Sequence, residues 1–70
     1  MHRPFRCIFH TSPAPDGPGY LGSFEVIDSY GNAVERGGGQ TVYPRMQMAL
    51  DSAWEAGRLA AARLEQVTVV

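Results

Sequence analysis

Apolar and polar residues alternate with a period of two near the start of the chain. In FRCIFHT, from Phe5 to Thr11, the residues Phe5, Cys7, Phe9 and Thr11 fall on one side and Arg6, Ile8 and His10 on the other, the pattern of a half-buried strand. The next eight residues, SPAPDGPG, hold three of the five prolines and two of the eight glycines, a composition that blocks both helix and ladder pairing. Alternation resumes in YLGSFEVID, Tyr20 to Asp28, with Phe24 and Val26 sharing a face and Glu25 pointing away. The two segments are expected to pair as antiparallel strands. The Gly31-Asn32 pair suits a tight hairpin turn, and a third strand should begin around Ala33 to Arg36. The triplet Gly37–Gly39 weakens that strand, because glycine has no side chain to pack and loses the most backbone entropy on ordering. A bulge or short loop is expected there, with Gln40 to Tyr43 returning to the sheet.

From Pro44 onward the period becomes 3.6. Successive steps of 100° place Met46, Leu50, Ala53, Gly57, Ala61 and Leu64 in one stripe, flanked by Trp54 on one side and by Ala49 and Ala60 on the other. The spacing predicts a long amphipathic helix from Pro44, as its first residue, to about Gln66. The Ala- and Gly-rich stripe allows close approach to a sheet, with Met46, Trp54 and Leu64 supplying bulk. The β-branched tail Val67–Val70 is compatible with a helix end, a frayed end or a short edge strand. The predicted fold class is α+β: a three-stranded antiparallel sheet with one long C-terminal helix packed on one face (β-β-β-α), residues 1–70 forming a single small domain.

Composition narrows the function classes. Six basic residues, all Arg, stand against seven acidic ones, for a net charge of −1, so the basic excess expected of a nucleic-acid binder is missing. No run approaches the ~20 apolar residues of a membrane span, and MHRPFRCIFH lacks the apolar core of a signal peptide. With one cysteine, Cys7, no internal disulfide is available. A cytoplasmic, reducing location is expected. Hydrophobic content of 44% with 19% charge places the chain among folding rather than disordered sequences. At seventy residues, folding buries only about 60% of the unfolded chain's surface, so stability depends on an efficient core or on a partner.

Each candidate chemistry has a plain structural counterpart. GGGQT lacks the Lys of a phosphate-binding P-loop and the spacing of a dinucleotide fingerprint; the glycines read as a hinge between strand and helix. His2, Cys7 and His10 have ligand-like spacing, but residues three apart on a strand point to opposite faces, which separates Cys7 from His10. No metal site and no cofactor are expected. Cys7 shares a face with Phe5 and Phe9, where an apolar setting makes a thiol inert, and so small a domain encloses little pocket volume. No catalytic residues are assigned and the chain is not read as an enzyme. Arg3, Arg6 and Arg36 with Tyr20, Tyr30 and Tyr43 could form a single-stranded nucleic-acid surface, but Glu25, Asp28 and Glu35 lie on the same strands. On the helix, Met48 and Leu59 lie opposite the buried stripe with Ser52 and Glu55 between them.

PDGPGYLGSFEVID, the G-x-T spacing within GGGQT and ALDSAWEAGRL together resemble the partial ribonuclease-H-like fold of HicB-type antitoxins. That resemblance implies a protein that neutralises a small RNA-cleaving toxin by binding it. Order and composition are also similar to short bacterial β-β-β-α families of unknown function. The function expected is a non-catalytic interaction module, binding a protein partner or itself as a homodimer. Met48, Leu59, Arg6 and Tyr43 are the candidate interaction surface. An antitoxin-like domain is the alternative, and a single-stranded nucleic-acid binder ranks below it.

Overall fold

The computed structural model describes residues 5–68. Three strands, β1 (Arg6–Pro13), β2 (Tyr20–Ile27) and β3 (Ala33–Gly38), precede one helix, α1 (Met46–Thr68). The sheet is antiparallel in the order β1-β2-β3: the predicted β-β-β-α architecture. Cys7 pairs with Val26, Phe9 with Phe24 and Thr11 with Gly22, so one pleat face turns Cys7, Phe9, Phe24 and Val26 toward the helix. Arg6, Ile8 and His10 occupy the other face, which no layer covers among the described residues.

The β2/β3 turn is set by Asp28. Its Oδ1 accepts from the N–H groups of Tyr30 and Asn32, both at 2.9 Å. Its C=O accepts from Gly31 N–H at 3.1 Å, and its N–H donates to Asn32 C=O at 3.0 Å. Gly31 takes a positive φ of 87° and Asn32 does not, so the turn is a three-residue loop ending in a left-handed glycine. The pairing of β2 with β3 slips between Val26 and Ile27. A bulge therefore lies at the start of β3, in addition to the loop that begins at the glycine triplet.

The triplet itself has two tasks. Gly37 stays in the strand and leaves room for the Phe24 ring, since a Cβ there would lie 2.6 Å from ring carbon Cε1. Gly38 and Gly39, at φ 87° and 78°, turn the chain away from the ladder in a region costly for other residues. Tyr43 then rejoins β2, donating to and accepting from Tyr20 at 2.8 Å each way. This extended bridge delays the helix: the first intrahelical bond, Ala49 N–H to Arg45 C=O at 3.2 Å, makes Arg45 the cap. The helix thus starts at Met46, with Pro44 and Arg45 used for the change of direction, and not at Pro44 as the periodicity predicts. At its other end it runs through Thr68; Val69 and Val70 lie outside the described residues.

The buried stripe is rotated from the predicted one. Ala49, Ala53, Gly57 and Ala60 are buried, whereas Met46, Leu50 and Trp54 are exposed. Bulk comes from the sheet instead, with Phe24 and Val26 at the centre and Phe5, Phe9 and Leu64 packed around them. Gly57 rides over Phe9 and Phe24: a Cβ there would lie 2.8 Å from Phe9 Cε1 and 3.2 Å from Phe24 Cβ. Gly22 meets the backbone of Ala49, whose carbonyl carbon would be 2.7 Å from a Cβ at that position. Backbone atoms cannot rotate aside as a side chain can. Gly22→Ala is therefore expected to destabilise the fold by about 3 kcal/mol, the upper part of the overpacking range, measured as a lower denaturant midpoint. A loss under about 0.5 kcal/mol, the size of an ordinary surface change, would contradict this seating of the helix.

Candidate functional site

The residues singled out from the sequence do not form one patch. Met48 and Leu59, 45% and 61% exposed, lie on the outer side of α1, about 16 Å apart along its axis. Tyr43 is a structural tie, bridging to Tyr20 and sharing a 2.8 Å hydrogen bond between its hydroxyl and Ser52 Oγ. Arg6 lines a groove at the opposite side of the molecule. His2 and Arg3 lie outside the described residues. Cys7 and His10 diverge, Cys7 toward the helix and His10 onto the open face, where His10 Nε2 lies 3.2 Å from Glu25 Oε1.

A groove of about 590 Å³ lies between β1 and α1. Phe5, Cys7 and Phe9 form its floor, and Trp54, Arg58 and Glu65 its helical wall. The Arg58 guanidinium sits 5.1 Å from the centroid of the Trp54 ring, within cation–π range. The indole is nevertheless 52% exposed. At the base, Cys7 Sγ donates to Gly57 C=O at 3.4 Å. Burial pushes the Cys7 thiol up from its ordinary pKa, and the negative charge of Glu65 adds to the effect. A protonated thiol is a weak nucleophile.

Among the described residues, the groove borders an unpaired strand edge. Ala14 N–H donates to Gly19 C=O at 2.9 Å, which sets the phase of the β1/β2 ladder. Antiparallel alternation then makes Ser12, His10 and Ile8 the residues bonded to β2, and turns the N–H and C=O groups of Thr11, Phe9 and Cys7 outward. Gly22, opposite Thr11, accordingly accepts from Gly39 on its β3 side at 2.8 Å.

The open sheet face carries a charge ladder. Glu25 on β2 accepts from Arg36 Nε of β3 at 3.1 Å and contacts His10 of β1. These two hydrogen bonds, Arg36 first, hold the Glu25 carboxyl below its usual pKa. A second depression, about 380 Å³, lies where the Pro-rich loop meets Gly39, Gln40 and Val42. Its lining includes Asp16 and no Arg or His, which suits no phosphate.

No family model matches the chain, and neither curated proteins nor solved structures give a match.

The sequence pattern does not reveal the groove, because the 3.6-residue period sets Trp54 at the flank of the buried stripe. The available signal was the stripe's own composition: a helix whose inner positions are Ala and Gly sits too close to the sheet to tuck an indole beneath it. Two outcomes follow from the site's electrostatics. Cys7 is expected to react with iodoacetamide at neutral pH well below the rate of free cysteine, and Glu65→Gln to speed it; a rate equal to free cysteine would contradict the buried thiol. The folded pKa of Glu25 is depressed, so its ladder stabilises the fold above the unfolded glutamate value of about 4.3 and ceases to do so as pH falls through the lower folded value. Glu25→Gln should flatten that part of the stability–pH curve; an unchanged acid limb would remove the ladder from the account.

Proposed function

We propose that the chain is a non-catalytic interaction module that binds a protein surface along the β1/α1 groove. The observation that supports this reading best is an apolar groove with a half-exposed tryptophan beside an open strand edge. Such an edge gives main-chain hydrogen bonds to an added strand, and the neighbouring pocket gives side-chain selectivity. Tryptophan and arginine are the side chains that most often dominate binding energy. Three of the arginines favour this reading over nucleic acid: Arg36 is paired with Glu25, Arg63 with Glu35, and Arg58 is stacked on Trp54. Among the described residues no helix is long and apolar enough to cross a membrane. The single thiol fits action in a reducing cytoplasm.

A tagged chain recovered from nuclease-treated host lysate and read by mass spectrometry tests the reading. Trp54→Ala is expected to reduce a bound protein about tenfold or more, the scale of a binding hot spot, while Leu59→Ala leaves it within about twofold, since most interface-remote truncations are near neutral. A retained protein indifferent to Trp54, or one lost with Leu59→Ala, would move the surface elsewhere. Recovery of a small basic RNA-cleaving protein through Trp54 would assign the antitoxin-like role.

A further inference from the structure

The loop between β1 and β2 carries a chemistry that partner binding does not use. Within SPAPDGPG, Asp16 stands directly before Gly17, and both residues are exposed. We propose that Asp16–Gly17 is a self-modification site, at which aspartate converts to isoaspartate through a cyclic imide with water as the only co-reactant.

The Gly17 nitrogen attacks Cγ of the Asp16 carboxylic acid. The N–Cγ bond forms, a Cγ–OH bond breaks, and the hydroxyl leaves as water together with the amide proton. Water then adds to either carbonyl carbon of the five-membered ring. Breaking the new N–Cγ bond restores aspartate. Breaking the original peptide C–N bond leaves the chain running through the side-chain carbonyl, with the former backbone carbonyl as a free carboxylate. Nothing is oxidised or reduced, and the net charge is unchanged.

The fold singles out this aspartate. A side chain on the residue that supplies the nitrogen hinders the attack, and glycine has none. Each of the other seven glycines either takes a positive φ or has a neighbouring atom nearer than a Cβ allows, whereas Gly17 does neither and has nothing within 4 Å of its Cβ position. Its lack of a side chain therefore serves no packing or turn requirement. Among the described residues the Asp16 carboxyl has no hydrogen-bond or ion-pair partner, and the depression beside it is lined by no Arg or His. The loop is closed at its base by the Ala14 N–H to Gly19 C=O bond, which leaves Asp16 and Gly17 at the tip, where the backbone is least constrained.

The other two aspartates are held away from this reaction. Asp28 precedes Ser29, and its Oδ1 accepts from the N–H groups of Tyr30 and Asn32. Asp51 accepts from Gln47 at 2.8 Å and lies inside α1, where the nitrogen of Ser52 is committed to helical bonding. Conversion at Asp16 inserts one methylene into the loop tip. The β1/β2 ladder, which ends at the Pro13–Tyr20 pair, lies outside the altered link, so the modified chain keeps its fold.

Incubation of the full chain in warm, mildly acidic water enriched in heavy oxygen, followed by fragmentation mass spectrometry that distinguishes isoaspartate, tests the site. Heavy oxygen and isoaspartate are expected to accumulate at residue 16, to within a few-fold of the rate in the denaturant-unfolded chain, and to stay at background at Asp28 and Asp51. Gly17→Ala should bring residue 16 down to that background with an unchanged circular dichroism spectrum and denaturant midpoint. Asp16→Glu, whose ring would need six members, should do the same. A folded chain that leaves residue 16 unlabelled while the unfolded chain labels it overturns the proposal, because the loop then protects the site. Equal labelling of all three aspartates, or a Gly17→Ala variant that reacts as fast as the wild type, overturns it as well.

Discussion

The seating of α1 on β2 governs the rest of the molecule. Gly22 lies beneath Ala49, and Gly57 lies over Phe9 and Phe24, in each case closer than a Cβ would allow. With Ala49, Ala53, Gly57 and Ala60 as the inner positions, the helix brings little volume of its own to the contact. The sheet supplies it: Val26 is fully buried and Phe24 nearly so. The hydrophobic gain of such a core, about 25 cal/mol per Å² of apolar surface removed from water, is therefore concentrated on few side chains. The close fit also leaves no room beneath the helix for Met46, Leu50 or Trp54, and their exposure is its direct geometric result. Stability and the groove thus share one origin.

Polar ties hold the helix at both ends of the sheet. Near its start, Tyr43 bonds to Tyr20 through the backbone and to Ser52 through its hydroxyl. Near its end, Arg63 reaches Glu35 on β3. Exposed ion pairs of this kind contribute little individually, and the part-buried hydroxyl contact is the better anchor. Their shared effect is directional: the helix cannot roll about its axis without breaking one of them, so the small-residue stripe remains against Phe24.

How much of this was legible in the sequence depends on the range of the interaction involved. Period-two alternation in Phe5–Thr11 and Tyr20–Asp28 identified both strand faces because alternation follows from local backbone geometry. The burial of the helix's Ala-rich side was legible because helical periodicity is likewise local. The helix start was displaced because the Tyr43–Tyr20 bridge is a contact between distant residues, which the local preference of Pro44 for a first-turn position does not encode. The stripe was rotated because the decisive quantity was the helix-to-sheet distance, set by Gly22, a residue in another element. For the same reason the groove escaped notice: it is built from two elements and from a side chain, Trp54, that local amphipathicity assigns to the flank of the core.

The contrast between the two outer strands bears on how far assembly could extend. A sheet whose two margins were equally open would let each added molecule present a fresh margin to the next, and the product would be a fibre. Here the slip beside Ile27, the left-handed Gly38 and the anchored Glu35 make the β3 margin a poor template. Growth that consumes β1 leaves nothing equivalent behind. The irregularities of one strand therefore act as a terminator, making any strand-to-strand association of this chain finite in size.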